Sequence, residues 1–176
     1  MAKFLLKSDI DEVCQRLAVP AQAFAGKTVL LTGGRGFLGR YFVEIFARLN
    51  ESVLEQPVTL VALDNLITSG QEGATIPEIE NMRFLNHDVT QPFEWVGSLD
   101  YVIHAAGIAS PYYYRAYPLE TLEVAITGTR RMLELAEANS ARFVFFSSSE
   151  IYGDPDPKHV PMAESYRGNV SCQGPR

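Results

Sequence analysis

A glycine-rich run between two apolar segments constrains the fold of this chain more than any other feature. Residues 33–39 contain four glycines. The segment directly before them, Thr28–Thr32, is too continuously apolar for a one-sided strand and predicts a central strand covered on both faces. Behind the glycines, apolar residues recur at helical spacing from 37 to 49 and predict an amphipathic helix. The local order is therefore strand, tight turn, helix.

Further apolar runs extend this pattern into a sheet. They cover residues 58–63, 82–85, 101–103 and 143–146. These runs alternate with longer amphipathic stretches, which is typical of βαβ units with a parallel sheet. The sequence therefore predicts an α/β fold, a doubly wound parallel sheet of at least five strands.

Two helices and one loop complete the predicted framework. Ser8 is a candidate N-cap for a helix over Asp9–Leu17, ahead of the first strand. Pro118 suits the first turn of a long helix that ends near Asn139. Residues 65–81 show no clear period, so we expect a loop there.

Composition narrows the classes of function. A chain of 176 residues suits one domain, and its net charge of −6 disfavours a nucleic-acid partner. The two cysteines, Cys14 and Cys172, offer neither metal-ligand spacing nor a disulfide framework, so we expect no metal and a reducing cytoplasm. No apolar run approaches the roughly 18 residues of a membrane span, so no membrane partner is expected.

The glycine run has the properties of a dinucleotide-binding turn. Glycine permits positive φ, lets the backbone approach a pyrophosphate, and allows the following helix to pack closely on the strand. Amides at the helix start then face the phosphates. The predicted contacts from this turn are Gly33, Gly36, Phe37, Leu38 and Gly39.

Two aspartates follow the second and third predicted strands. Asp64 lies where a carboxylate accepts hydrogen bonds from the adenosine ribose and repels a 2′-phosphate, which favours NAD over NADP. Arg35 lies inside the glycine run, and its positive charge is the one feature there that would favour that phosphate. Asp88 is placed to contact the adenine amino group. For both residues a purely structural role, capping a loop or forming a turn, is the alternative.

Polar and small residues mark the ends of strands four and five. In the run of residues 104–107, Ala105, Ala106 and Gly107 are small enough for a cofactor to lie against the backbone, and we interpret His104 as structural. Hydroxyls and a carboxylate in residues 147–150 follow strand five, at the edge where open α/β sheets bind ligands. Serine capping of a strand end is the alternative.

Several motifs together resemble one known family. They are Gly36-Phe37-Leu38-Gly39, Asp64-Asn65, His87-Asp88-Val89, the stretch Ala109–Tyr114, Ser149–Pro155 and Gly174-Pro175-Arg176. From Lys27 to Arg176 the chain resembles the extended short-chain dehydrogenase/reductases that act on nucleotide sugars. Within that family the motifs are most similar to those of UDP-glucuronate decarboxylases.

The resemblance implies a Rossmann-like domain with a tightly held NAD, which also contacts Asn65 and Val89. It implies oxidation at sugar C4, loss of the C6 carboxylate and re-reduction at C4. In that scheme Ser148 hydrogen-bonds the C4 oxygen and Glu150 assists beside C5 and C6. Substrate contacts are implied for Ser110, Pro111 and Tyr114. Relatives also dimerise through a helix equivalent to residues 118–139, so a homo-oligomer is expected.

The chain departs from the family pattern at two places. None of its eight tyrosines is followed four residues later by lysine, the pair that supplies the family's catalytic base. Ala125 stands where relatives carry asparagine. We therefore expect an N-terminal cofactor-binding portion that is inactive alone. Its predicted parts are a helical extension (1–25), the NAD-binding domain (26–153) and an incomplete substrate-side segment (154–176).

Other functions remain open at this point. A nucleotide-sugar 4-epimerase or 4,6-dehydratase shares the same cofactor-binding motifs. Ser149 occupies a position where a 4,6-dehydratase usually has aspartate, which counts against dehydration. A short form without catalysis, binding a dinucleotide or a partner protein, is the alternative of another class.

Overall fold

A computed structural model describes residues 5–68 and 79–171 of the chain. The described residues form one sheet of five parallel strands in the order β3-β2-β1-β4-β5. The strands are β1 (Thr28–Thr32), β2 (Thr59–Asp64), β3 (Met82–Asn86), β4 (Tyr101–His104) and β5 (Arg142–Phe145). The predicted α/β class and five-strand sheet are confirmed, and each predicted strand boundary lies within one residue of the observed one.

The central strand β1 is buried on both faces, as its sequence predicts. Val29 and Leu31 pack into a cluster with Phe46 and Leu49 on one side of the sheet. Leu30 points to the other side and joins a second cluster that includes Met132. Because successive strand residues face opposite ways, an uninterrupted apolar run fills both cores at once.

Helices flank the sheet, and they differ from expectation in three respects. The α-helices are α1 (Lys7–Leu17), α2 (Phe37–Ser52), α3 (Pro111–Ala116), α4 (Pro118–Glu123) and α5 (Thr129–Ala138). The long helix expected from Pro118 is present, but a π-helical turn at Val124–Gly128 separates α4 from α5. The helix α3 was not predicted, although Pro111 in its first turn is the same start signal that marked α4. The cap predicted at Ser8 is wrong, because α1 begins at Lys7 with Leu6 at the N-cap position.

The N-terminal extension packs on α2 as part of the core. Ile10 and Cys14 of α1 are buried in the same cluster as β1. Tyr41 of α2 donates its hydroxyl to Asp9 over 3.2 Å. Burial raises the pKa of the Cys14 thiol, so this cysteine behaves as a small apolar side chain.

Contacts divide the chain into two units, residues 1–145 and 146–176. The first holds the sheet and the helices α1–α5. In the second, Gly153 and Asn169 form an isolated bridge, and Asn169 donates its backbone N–H to the Tyr152 carbonyl over 2.8 Å. Most of the predicted loop 65–81, and the motif residues 174–176, lie outside the described residues. Among the helices of the described residues, none combines the length and the apolar composition of a membrane span.

Candidate functional site

Gly33, in the turn between β1 and α2, and Gly39, in the first turn of α2, leave no room for a side chain. Gly33 has φ 72°, and a Cβ there would lie 2.7 Å from the Ala105 carbonyl oxygen. A Cβ on Gly39 would overlap the Gly33 carbonyl oxygen. The first contact brings the turn against the loop after β4, and the second brings α2 against the turn. These approaches have the form that a pyrophosphate-binding turn requires.

The start of α2 offers backbone amides. Gly36 is the N-cap residue and has no side chain that could satisfy the first N–H groups of the helix. The side chains of Phe37 and Leu38 are exposed. What these two residues can offer a ligand is therefore their backbone N–H groups, at the positive end of a 16-residue helix.

A cavity of about 260 Å³ lies at the carboxyl ends of β1, β2, β3 and β4, with residues of α4 along one wall. Nine of the twelve predicted cofactor residues line it. They are Gly33, Gly36, Asp64, Asn65, Asp88, Val89, Ala105, Ala106 and Gly107. The other three are the residues that begin α2. Residues far apart in the sequence are therefore brought to one cavity.

Sequence reasoning missed part of the lining. Leu119, Glu120, Glu123 and Val124 reach the cavity from α4 and the π-helical turn. No local signal marks them, because their position depends on how α4 crosses the ends of the strands. His87 and Thr90, by contrast, flank the predicted pair Asp88-Val89 and could have been included on that ground.

Asp64 ends β2 and accepts two backbone hydrogen bonds. Its Oδ2 accepts the Arg35 N–H over 2.8 Å, and its Oδ1 accepts the Leu66 N–H over 2.8 Å. An ionised carboxylate has about four acceptor positions, so about two remain. The loop-capping role is real, and it leaves capacity for a ligand that carries two hydroxyl groups.

Asp88 is held by three hydrogen bonds. Its Oδ1 accepts the Thr90 N–H over 2.9 Å and the Thr90 hydroxyl over 2.7 Å, and its Oδ2 accepts the Asn65 amide over 3.0 Å. Burial alone would raise the pKa of Asp88, but the bonds from Asn65 and Thr90 outweigh it and the pKa is lowered. The carboxylate is therefore charged at neutral pH and fixed in orientation.

His104 lies beneath the site in a buried hydrogen-bonded chain. Its Nδ1 is 2.7 Å from the Thr32 hydroxyl, and its Nε2 is 3.1 Å from the Thr129 hydroxyl. Thr32 also accepts the Ala106 N–H over 3.0 Å. Burial lowers the pKa of His104 to about 4, so the ring is neutral at physiological pH. These contacts agree with the structural interpretation of this histidine.

The cavity wall is acidic. Four carboxylates line it, from Asp64, Asp88, Glu120 and Glu123, and no lysine or arginine stands among its described lining residues. The Arg35 side chain is directed elsewhere, with its guanidinium 5.3 Å from the centre of the Phe84 ring. Among the residues that the structure describes, no three His, Cys, Asp or Glu side chains form a metal-ligand cluster.

The predicted substrate residues lie in a helix, and the predicted catalytic residues belong to the second unit. Ser110 is the N-cap residue of α3, with Pro111 and Tyr114 inside that helix, and none of the three lines the cavity. In the second unit, Ser148 Oγ accepts the Glu150 N–H over 3.2 Å and caps a short 3₁₀ turn, Ser149–Tyr152. This capping contact is the structural alternative considered for the serine run.

Comparison with protein families gives one match that covers most of the chain. Residues 29–174 match the family described as the NAD dependent epimerase/dehydratase family. The matched segment begins in β1 and contains every predicted cofactor residue.

Individual relatives agree with this match. UDP-glucuronic acid decarboxylase 2 of Arabidopsis thaliana is 35% identical over 153 residues, which are 86% of this chain and 32% of that protein. UDP-N-acetylglucosamine 4-epimerase from Methanobrevibacter ruminantium, solved with UDP-N-acetylmuramic acid, is 26% identical with a TM-score of 0.66, over 82% of this chain and 44% of that one. UDP-glucose 4-epimerase of Thermus thermophilus, solved with NAD, is 25% identical with a TM-score of 0.59, over 81% and 44%. The chain thus spans about a third of the length of the first curated relatives.

Proposed function

The chain belongs to the NAD dependent epimerase/dehydratase family, and on that basis we propose that it binds NAD in the cavity at the carboxyl ends of its strands. The observation that carries the proposal is the convergence of nine predicted cofactor residues on that cavity. The glycine turn supports it, because a dinucleotide requires both the close approach at Gly33 and the uncapped start of α2.

Different residues of the site would bind different parts of the cofactor. The amides of Phe37 and Leu38 would hold the pyrophosphate, and the remaining acceptor positions of Asp64 would take the adenosine ribose hydroxyls. Asp88 would accept the adenine amino group. Bound NAD would supply a hydride acceptor and donor. The small residues Ala105 and Ala106 would keep that wall of the cavity open to the cofactor.

For the whole protein we propose a decarboxylase of the UDP-glucuronate type. The support is the 35% identity to UDP-glucuronic acid decarboxylases. In this proposal Ser148 hydrogen-bonds the C4 oxygen of a nucleotide sugar and Glu150 assists at C5 and C6, while Ser110, Pro111 and Tyr114 contact the substrate. Residues 26–153 form the NAD-binding domain, 1–25 its helical extension and 154–176 part of the substrate side. A 4-epimerase is the second candidate, supported by 25–26% identity to solved epimerases.

We predict that the 176-residue polypeptide alone does not convert UDP-glucuronate. No tyrosine in it has a lysine four residues later, so nothing in it supplies a tyrosine base with a lysine partner. Purified polypeptide would be assayed for UDP-xylose and carbon dioxide, with NAD binding measured on the same sample as the control. Turnover would contradict this prediction, whereas binding without turnover is the expected result.

Cofactor selectivity tests the binding proposal directly. We expect the dissociation constant for NAD to be at least about tenfold lower than for NADP, because Asp64 and an acidic wall repel a 2′-phosphate. Asp64→Asn should narrow the ratio of the NADP and NAD dissociation constants to about threefold or less, since it removes the charge and keeps the side-chain size. Calorimetric titration measures both ligands.

A matched variant separates this effect from loss of folding. Asp100 also accepts a backbone N–H, from Thr28 over 2.9 Å, but at the amino end of β1. Asp100→Asn should leave the NAD-to-NADP ratio unchanged. Equal or tighter binding of NADP by the wild-type chain would overturn the role of Asp64 and direct attention to Arg35.

A further inference from the structure

We propose that Arg131, a residue of α5 outside the cavity, is a positioning residue that fixes the Asp88 carboxylate for the adenine amino group. The inference rests on the proposed binding of NAD and names a residue that no motif indicates. Arg131 does not line the cavity. Its action on the ligand therefore passes through residues between α5 and the site.

The connection consists of consecutive hydrogen bonds. Arg131 Nε donates to the Thr90 carbonyl oxygen over 2.7 Å. Thr90 in turn donates its N–H and its hydroxyl to Asp88 Oδ1, over 2.9 and 2.7 Å. One guanidinium thus restrains the residue that orients the carboxylate, and a bond from a charged donor is stronger than one between neutral groups.

The bonding of Asp88 leaves capacity for one more donor. Of about four acceptor positions on a carboxylate, Thr90 fills two on Oδ1 and Asn65 fills one on Oδ2. The remaining position lies on Oδ2, in a residue that lines the cavity. A single donor such as an exocyclic amino group matches one such acceptor. A carbonyl in the same place has no proton to donate, so its oxygen and the carboxylate oxygen would repel each other.

The backbone that carries Arg131 is itself held in place. Thr129, two residues earlier, contacts the buried His104 ring. Gly128 packs so closely on Val89 that an added Cβ would lie 2.8 Å from Val89 Cγ2. The start of α5 is therefore held against the segment that carries Asp88 and Thr90, and Arg131 projects from a rigid support.

The test compares NAD with nicotinamide hypoxanthine dinucleotide, which carries a carbonyl where adenine has its amino group. Calorimetry on the wild-type chain should show a preference for NAD of about tenfold. Arg131→Met removes the donor and keeps the length of the side chain, so most of the preference should disappear through weaker NAD binding. Arg131→Lys, which retains a cationic donor, should recover part of it.

Two further variants make the result specific. Arg130→Met removes the same charge from the exposed neighbouring position on α5 and should keep the full preference. Thr90→Val removes one of the two donors to Asp88 Oδ1 and should lower the preference for NAD. It keeps the Thr90 carbonyl to which Arg131 donates. It also keeps the inference testable if Arg131→Met fails to fold.

The outcomes separate this inference from the proposal beneath it. Wild-type binding of NAD with an unchanged ligand ratio in Arg131→Met and Thr90→Val overturns the role of Arg131 alone. An equal weakening of both ligands, with a lower melting temperature, shows a merely structural residue and also overturns it. Failure of the wild-type chain to bind either dinucleotide overturns both.

Discussion

At the scale of single residues, the buried His104 ring couples stability to pH. Burial lowers its pKa to about 4, whereas the ring in an unfolded chain titrates near its ordinary 6.5. As the pH falls from 6.5 toward 4, the unfolded state takes up a proton that the folded state does not. The contribution of His104 to the free energy of unfolding is therefore fully present above pH 6.5. It is lost as the pH falls from 6.5 to 4, by about 3 kcal/mol in total.

Urea unfolding at about pH 7 and about pH 4.5 measures this loss. Other groups titrate in the same range, so the quantity that matters is the difference between the wild-type chain and His104→Gln, which cannot gain the proton. The wild-type chain should lose more stability on acidification than the variant. An identical loss in both would show that the ring is protonated in the folded state.

At the scale of elements, the contact of α2 with the glycine turn depends on Gly39. An alanine gains about 1 kcal/mol of helix propensity over glycine. That gain is outweighed because the added Cβ would overlap the Gly33 carbonyl oxygen and lie 2.7 Å from Gly34 Cα, and neither backbone atom can move without shifting the turn. We expect Gly39→Ala to lower the free energy of unfolding by about 3 kcal/mol, measured by denaturant unfolding. Gly107→Ala, with no atom within 4 Å of the added Cβ, should cost far less.

The elements also show how far sequence reasoning reaches. Strand β1 was predictable to the residue because a buried parallel strand needs an unbroken apolar run, and Thr28–Thr32 is one. The prediction of a cap at Ser8 failed, because Ser8 lies inside α1, its hydroxyl donates to Asp9 Oδ1 over 3.3 Å, and no side chain caps the start of the helix. The π-helical turn at Val124–Gly128 and the bond from Arg131 to Thr90 depend on how distant segments meet. No local pattern encodes either.

At the scale of the whole molecule, exposed apolar side chains predict self-association. Leu119, Leu122, Ile126 and Leu133 recur at helical spacing along α4, the π-helical turn and α5, and they are between 46% and 73% exposed. Apolar stripes of this kind tend to find partners. Light scattering over a concentration series should show association. The double variant Ile126→Glu with Leu133→Glu should reduce it, while Val19→Glu, at an exposed apolar site on another segment, should not. A wild-type chain that stays monomeric at high concentration would contradict this prediction.

The strand order has a consequence for how the chain is assembled in time. β1 pairs with β2 on one edge and with β4 on the other, and the residues joined across the second edge, such as Thr32 and His104, are 72 positions apart. During synthesis β2 and β3 become available first and extend the sheet in one direction only. The other edge of β1 has no neighbouring strand until β4 has been made. The sheet is then extended from the opposite edge of β1. Closing so long a loop is entropically slow, and a nascent chain that ends before β4 leaves its central strand with an open edge.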